Sequence, residues 1–187
     1  MDYTIEEKYD LIKKELLHTK EVNPINILKS IMHKDFINMH GPEHHFLDGA
    51  ALLTALRNSG LDINLDSCLD LLQERTIKMP GAMCGFWGVC GSVTSIGAAL
   101  SIIDKTGPLS NDESYANHME FTSRVINVMS EIGGPRCCKR NAFISVTEGI
   151  KYANEKYGLN MPINNIGCEF SNLNKQCLNK KCPFHNK

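Results

Sequence analysis

No stretch of this chain is apolar for long enough to cross a bilayer. The longest such run, Val93 to Ile103, falls far short of the roughly 20 residues a membrane helix needs. Neither sign of charge is in surplus: 20 Lys and Arg against 21 Asp and Glu leave a formal net charge of -1. No overall field therefore draws the chain to nucleic acid or to an anionic membrane. An apolar leader is missing as well, since the opening MDYTIEEKYDLIKKE is charged and periodic. These absences together lead us to expect a cytoplasmic protein with no membrane partner. Alternating strand patterns and internal repeats are absent too. So are the P-loop, the G-x-G-x-x-G fingerprint, the C-x-x-C redox pair and a C-x3-C-x2-C cluster triplet.

What the chain has in quantity is cysteine, 8 residues in 187. In a reducing compartment such a count signals metal binding or catalysis rather than a disulfide framework. Cys137 and Cys138 are adjacent, and neighbouring α-carbons lie ~3.8 Å apart, below the usual disulfide range, so they are expected as free thiols. Cys68 falls in the stripe Leu65, Leu69, Leu72 and is expected as a small core hydrophobe.

Hydrophobic residues at 42% and charged residues at 22% are ordinary for a globular chain, long enough here for one packed core and an appendage. Helix signals follow one another. Thr4 with Glu7 forms a capping box, Asn23-Pro24 opens a short helix, and Gly41-Pro42 begins a third that Gly60 stops. Asn64 caps a fourth. The glycine-rich stretch from Met79 to Gly91 is expected as a loop or irregular lead-in to the small-residue helix from Val93 to Ile103. Phe86 and Trp87 in it are expected as loop anchors or pocket walls. Asp112 opens the next helix, and Gly134-Pro135 starts the last, which ends near Gly158. The expected fold is all-α: a single multi-helix bundle of about six or seven helices over residues 1–160, then a short cysteine-rich metal-binding module at 161–187.

That module carries the most specific local signal, Cys168-x8-Cys177-x4-Cys182-x2-His185. Three thiolates and an imidazole are a tetrahedral zinc set, and a tail so poor in apolar residues needs a metal to supply its folding energy. The spacing resembles the CCCH finger, with each of the last two gaps one residue short. Phe170, Phe184, Lys175, Lys180 and Lys181 offer the stacking and charge with which such fingers hold RNA. An iron-sulfur cluster is the rival occupant, and sequence does not separate it from zinc.

A second constellation is built on a repeated template, Gly41-Pro42-Glu43-His44-His45 and Gly134-Pro135-Arg136-Cys137-Cys138. In each, glycine caps, proline takes the first helical position, and reactive side chains fall in the first turn. Free N–H groups there favour a thiolate or bound anion, and Arg136, Lys139 and Arg140 add positive charge, so a depressed thiol pKa is expected at Cys137 or Cys138. Cys84 and Cys90 flank the lead-in to a third helix. Should the three helix starts converge, His40, His44, Cys84, Cys90, Cys137 and Cys138 would line one pocket. His40-Gly-Pro-Glu43-His44 also fits the inverted zinc-peptidase motif H-x-x-E-H, but Gly41-Pro42 breaks the continuous helix that motif requires.

The segments HGPEHHFLDGAALL (40–53), PGAMCGFWGVCGSVTSIGAALSI (80–102), GGPRCCKRNAF (133–143) and CPFH (182–185) resemble an uncharacterised cysteine-rich domain family. It occurs in anaerobic bacteria and methanogens, alone or fused to SAM-dependent methyltransferases. The resemblance covers roughly residues 25–187 and implies that these positions work together, without an activity to transfer. Cys90-Gly91 leading into a small-residue helix and paired cysteines is similar, more loosely, to the C-GCAxxG-C-C redox proteins.

The leading expectation is a metal- or iron-sulfur-dependent thiol, redox or sulfur-handling protein, in the manner of an oxidoreductase or sulfur transferase. Cys137 or Cys138 would be nucleophile or cluster ligand, Cys84 and Cys90 further ligands or resolving thiols, and His40 or His44 ligand or proton carrier. Glu43 would be a base and Arg136 an anion holder. Two other classes stay open: a non-catalytic zinc module docking on a partner such as a methyltransferase or redox protein, and RNA binding through the terminal module.

Overall fold

The structure is a computed structural model that describes residues 3–186. It is all-helical, in the order α1 Ile5–His18, α2 Pro24–Met32, α3 Glu43–Asn58, α4 Leu65–Thr76, α5 Met83–Phe86, α6 Gly91–Ile103, α7 Glu113–Ile132 and α8 Cys138–Tyr157. Local chemistry starts four of these where the sequence marks them. Thr4 and Glu7 exchange side-chain and backbone bonds as a capping box, and Asn23, Asn64 and Asp112 each accept a first-turn amide. Caps of this kind contribute ~1 kcal/mol each.

The bundle is organised around α3, whose residues from Glu43 to Leu56 are all buried. Helices α1, α2, α4, α6 and α8 pack around it, and α7 packs on α6 and α8. A helix enclosed on every side should be apolar all round. From Phe46 onward α3 nearly is, through Leu47, Ala50, Ala51, Leu52, Leu53, Ala55 and Leu56. Fully burying one such leucine is worth about 1.5–3 kcal/mol. Its opening turns instead bury Glu43, His44, His45 and Asp48, and that polar end marks the site.

Close approach sharpens the geometry. Gly49 donates its N–H to Ser95 Oγ at 2.8 Å, and a Cβ on Gly49 would stand 2.7 Å from the Ser95 carbonyl oxygen. Only glycine lets α3 and α6 touch there. Tyr9 stacks on Phe46 with ring centroids 4.7 Å apart and donates its hydroxyl to the Pro42 carbonyl, holding the start of α3 in place.

The starts of two helices differ from expectation. Pro42 is the N-cap of α3, not its first residue, and α8 begins only at Cys138, with Cys137 as its N-cap. A cysteine can cap because its sulfur accepts the Arg140 N–H, which frees Gly134 and Pro135 to serve as connector. Phe86 and Trp87 are corrected as well: they are 84% and 66% exposed, so they wall no pocket. Cys68 is half-buried at the edge of the core.

Residues after α8 form two single 3-10 turns, at Ser171–Leu173 and Asn179–Lys181, and an isolated parallel bridge pairs Cys168 with His185. This tail packs on the helices. Phe170 is buried beside the His33 ring, so it is not free to stack on a base, and Phe184 meets Phe143 edge-on. Glu169 pairs with Lys29 and His33 of α2 and its end. Among the described residues no helix is long and apolar enough to cross a membrane.

Candidate functional site

Three helix starts meet at the polar end of α3. His40, His44, Cys84, Cys90, Arg136, Cys137 and Cys138 line one cavity of about 270 Å3 there, joined by His45 and Asp48, which the sequence did not single out. Glu43 is not among them. Its carboxylate accepts the Asn38 N–H at 2.8 Å and faces Lys8 Nζ at 3.4 Å, outside the cavity, so it is a structural anchor where a base was expected. Arg136 is exposed at the rim.

Each donor is held by a specific neighbour. Cys90 is the N-cap of α6, and its sulfur accepts Asn141 Nδ2 at 3.2 Å. Ser92 donates to the Asn141 carbonyl at 3.2 Å, tying α6 to α8 beside that thiol. The His45 ring fits because residue 91 is glycine: a Cβ at that position would lie 2.2 Å from the imidazole. Lys139, buried in the first turn of α8, reaches the Asn38 carbonyl at 3.0 Å and His44 Nε2 at 3.2 Å. His44 Nε2 also stands 3.2 Å from the Asn38 carbonyl oxygen, and its Nδ1 stands 3.9 Å from Asp48 Oδ1.

Asp48 is buried with its carboxylate unsatisfied. It is 0% exposed, and neither carboxylate oxygen has a hydrogen-bond partner. The Nδ1 atoms of His40, His44 and His45 are buried without partners too. A buried polar group left unpaired costs about 1–3 kcal/mol, and more when charged. Several such groups belong to residues that line one cavity.

Electrostatics correct one expectation. The thiols at the start of α8 are not lowered. Burial pushes Cys138 up to about 12, partly offset by the Gly41 N–H, with Asp48, Cys90 and Cys137 adding to the rise. Cys137 and Cys90 are raised for the same first reason. Loss of water around a thiolate outweighs a helix N-terminus and nearby cations when the group is this enclosed. Burial also lowers His40 and His45, and takes Lys139 down to about 8. Burial thus favours the neutral thiols of Cys90, Cys137 and Cys138, which a bound cation would deprotonate, and the neutral imidazoles of His40 and His45, which already offer a lone pair.

In the tail, Cys168, Cys177 and Cys182 line a second, much smaller cavity of about 10 Å3, and Cys137 lines it with them. His185 does not. It sits beside Cys168 in the bridge, where the Cys168 N–H donates to the Phe184 carbonyl at 2.7 Å. Asn174 joins the two cavities: its Oδ1 meets His40 Nε2 at 3.1 Å and its Nδ2 reaches Cys137 Sγ at 3.5 Å.

The donor chemistry fits a metal, with sulfur, imidazole nitrogen and carboxylate oxygen around one space and sulfur alone around the other. Among the described residues, however, no group of three or more His, Cys, Asp or Glu stands closed on a common point so as to hold an ion.

His45 and Asp48 left one trace in the sequence: polar residues in the opening turns of a helix whose continuation is almost wholly apolar.

The model of a family of unknown function, DUF5714, matches residues 12–185, and the chain belongs to that family. Neither the curated proteins nor the solved structures gave a match to this chain.

Proposed function

We propose that this member of the family is a metal-dependent thiol protein that handles a small sulfur-containing or redox-active substrate in the cavity at the start of α3. The observation that carries the reading is Asp48, a fully buried carboxylate without a partner on a wall shared with thiols and unpaired imidazoles. A buried carboxyl with neither oxygen paired gains a partner when a cation sits beside it.

Cys90, Cys138, His45 and Asp48 would hold the ion, with Cys84 on the loop above as a further ligand or as the thiol that meets substrate. A metal or cluster bound there supplies Lewis acidity or an electron. His44, held at Nε2 by Lys139 and the Asn38 carbonyl, turns its Nδ1 toward Asp48. Arg136 at the rim provides a fixed positive charge for an anionic substrate group. The α5 loop carrying Cys84 separates this cavity from a neighbouring one of about 290 Å3, which Cys84, Cys90, Arg136 and Asn141 also line. That gives the loop thiol two sides from which to be approached.

Metal analysis and visible absorption of protein purified without oxygen test the reading. Wild type should carry a full equivalent of metal more than Asp48→Asn, Cys90→Ser and Cys138→Ser each do. A brown sample with broad absorption identifies an iron-sulfur cluster, and a colourless one with zinc a single ion. Undiminished metal in all three variants would remove the proposal.

A further inference from the structure

His185 does not line the small cavity that the terminal cysteines share. We infer that the tail binds a single thiophilic divalent ion, zinc by preference, through Cys168, Cys177 and Cys182 together with Cys137 from the start of α8. Three observations carry this, each made at the smaller cavity.

The first is position. All four cysteines line one cavity, and His185 is not on its wall. The second is size. About 10 Å3 matches the room a single water-sized sphere occupies, which suits one ion and is too small for a multi-iron cluster. The third is preparation of the sulfurs. Phe170 N–H points at Cys168 Sγ at 3.4 Å and Asn179 N–H at Cys177 Sγ at 3.3 Å, the same two-residue loop made twice. Cys137 Sγ accepts both the Arg140 N–H at 3.4 Å and Asn174 Nδ2 at 3.5 Å. Donors aimed at sulfur stabilise thiolates, and four thiolates around one point form a closed structural zinc set. Binding draws the four thiols together and releases their protons to solvent.

The assignment divides the adjacent pair between two tasks. Cys137 secures the tail to the bundle, and Cys138 alone of the two remains for the chemistry in the larger cavity. Because Asn174 touches both Cys137 and His40, loading the tail also sets the position of one imidazole in that cavity.

The test is zinc affinity of the full reduced chain, by competition with a chromophoric chelator, in wild type, Cys137→Ser, Cys177→Ser and His185→Ala. Asp48→Asn/Cys90→Ser serves as the control for the larger cavity. We expect Cys137→Ser and Cys177→Ser to lose at least the ~10–100-fold that even an outer-shell change costs. His185→Ala and the control should keep the tight zinc. Loss in His185→Ala with retention in Cys137→Ser overturns the assignment, as does equal binding in every variant or loss only in the control. If Cys137→Ser fails to fold, zinc-edge X-ray absorption of the control protein decides: an all-sulfur shell supports the set, and an imidazole in the shell overturns it.

Discussion

At Asp48 the chain accepts a cost in stability that nothing in its own packing returns. Both carboxylate oxygens are buried and unpaired, while Lys139, the nearest cation on α8, is already engaged by Asn38 and His44. In metal-free protein Asp48→Asn should therefore raise unfolding stability by ~1–3 kcal/mol, read by denaturant titration with a chelator present. A clear loss of stability would mean that the carboxylate has a partner in solution. Gly91 makes a complementary case. Gly91→Ala drives a Cβ into the His45 ring, at an expected cost of roughly 1–3 kcal/mol together with a displaced imidazole, visible as a shifted His45 resonance. At this scale the sequence was partly legible. Cysteines announce themselves by rarity and spacing, so Cys84, Cys90, Cys137 and Cys138 stood out. His45 and Asp48 did not, because their importance lies in burial, which needs the whole of α3 to be known as the central helix. The sign of the thiol pKa shift is hidden from the sequence for a related reason: neighbours in sequence reveal charge, whereas desolvation comes from helices far away along the chain.

Helices are where sequence and structure agree best. Caps at Thr4, Asn23, Asn64 and Asp112 are local contacts within a few residues, so a linear pattern suffices to place them. Starts made by cysteine are harder, since sulfur is a rare cap, and α8 accordingly begins three residues beyond its proline. One interhelical joint carries a testable consequence. Asp104, at the end of α6, meets His118 of α7 at 2.7 Å and, on α8, Lys156 at 2.6 Å and the Tyr157 hydroxyl at 3.0 Å. Burial alone would raise its pKa, but Lys156 and His118 hold the carboxyl below the usual carboxylate range. Its folded value lies below its unfolded one. Its contribution is therefore complete above the ordinary Asp value of about 3.9 and is lost as pH falls through the folded value. Asp104→Asn should cost ~2 kcal/mol at neutral pH and flatten the acid limb of the stability profile. Acid unfolding unchanged by the substitution would contradict this role.

Over the whole molecule, the all-α bundle follows from helix periodicity and the lack of alternating patterns, and the polar tail is readable as a segment unable to fold by apolar burial alone. Its docking was not readable. Phe170 against His33, Phe184 against Phe143, and Asn174 between His40 and Cys137 are all contacts between distant parts of the chain. Through them, the tail closes over the same helix start that supplies the cavity's thiols. The central claim is that these starts assemble a mixed sulfur, nitrogen and oxygen centre for a metal. An anomalous-difference map at the metal's absorption edge, from crystals grown without oxygen, tests it most directly. The account predicts a peak in the larger cavity bounded by Cys90, Cys138, His45 and Asp48; a map with no peak in that cavity would contradict it.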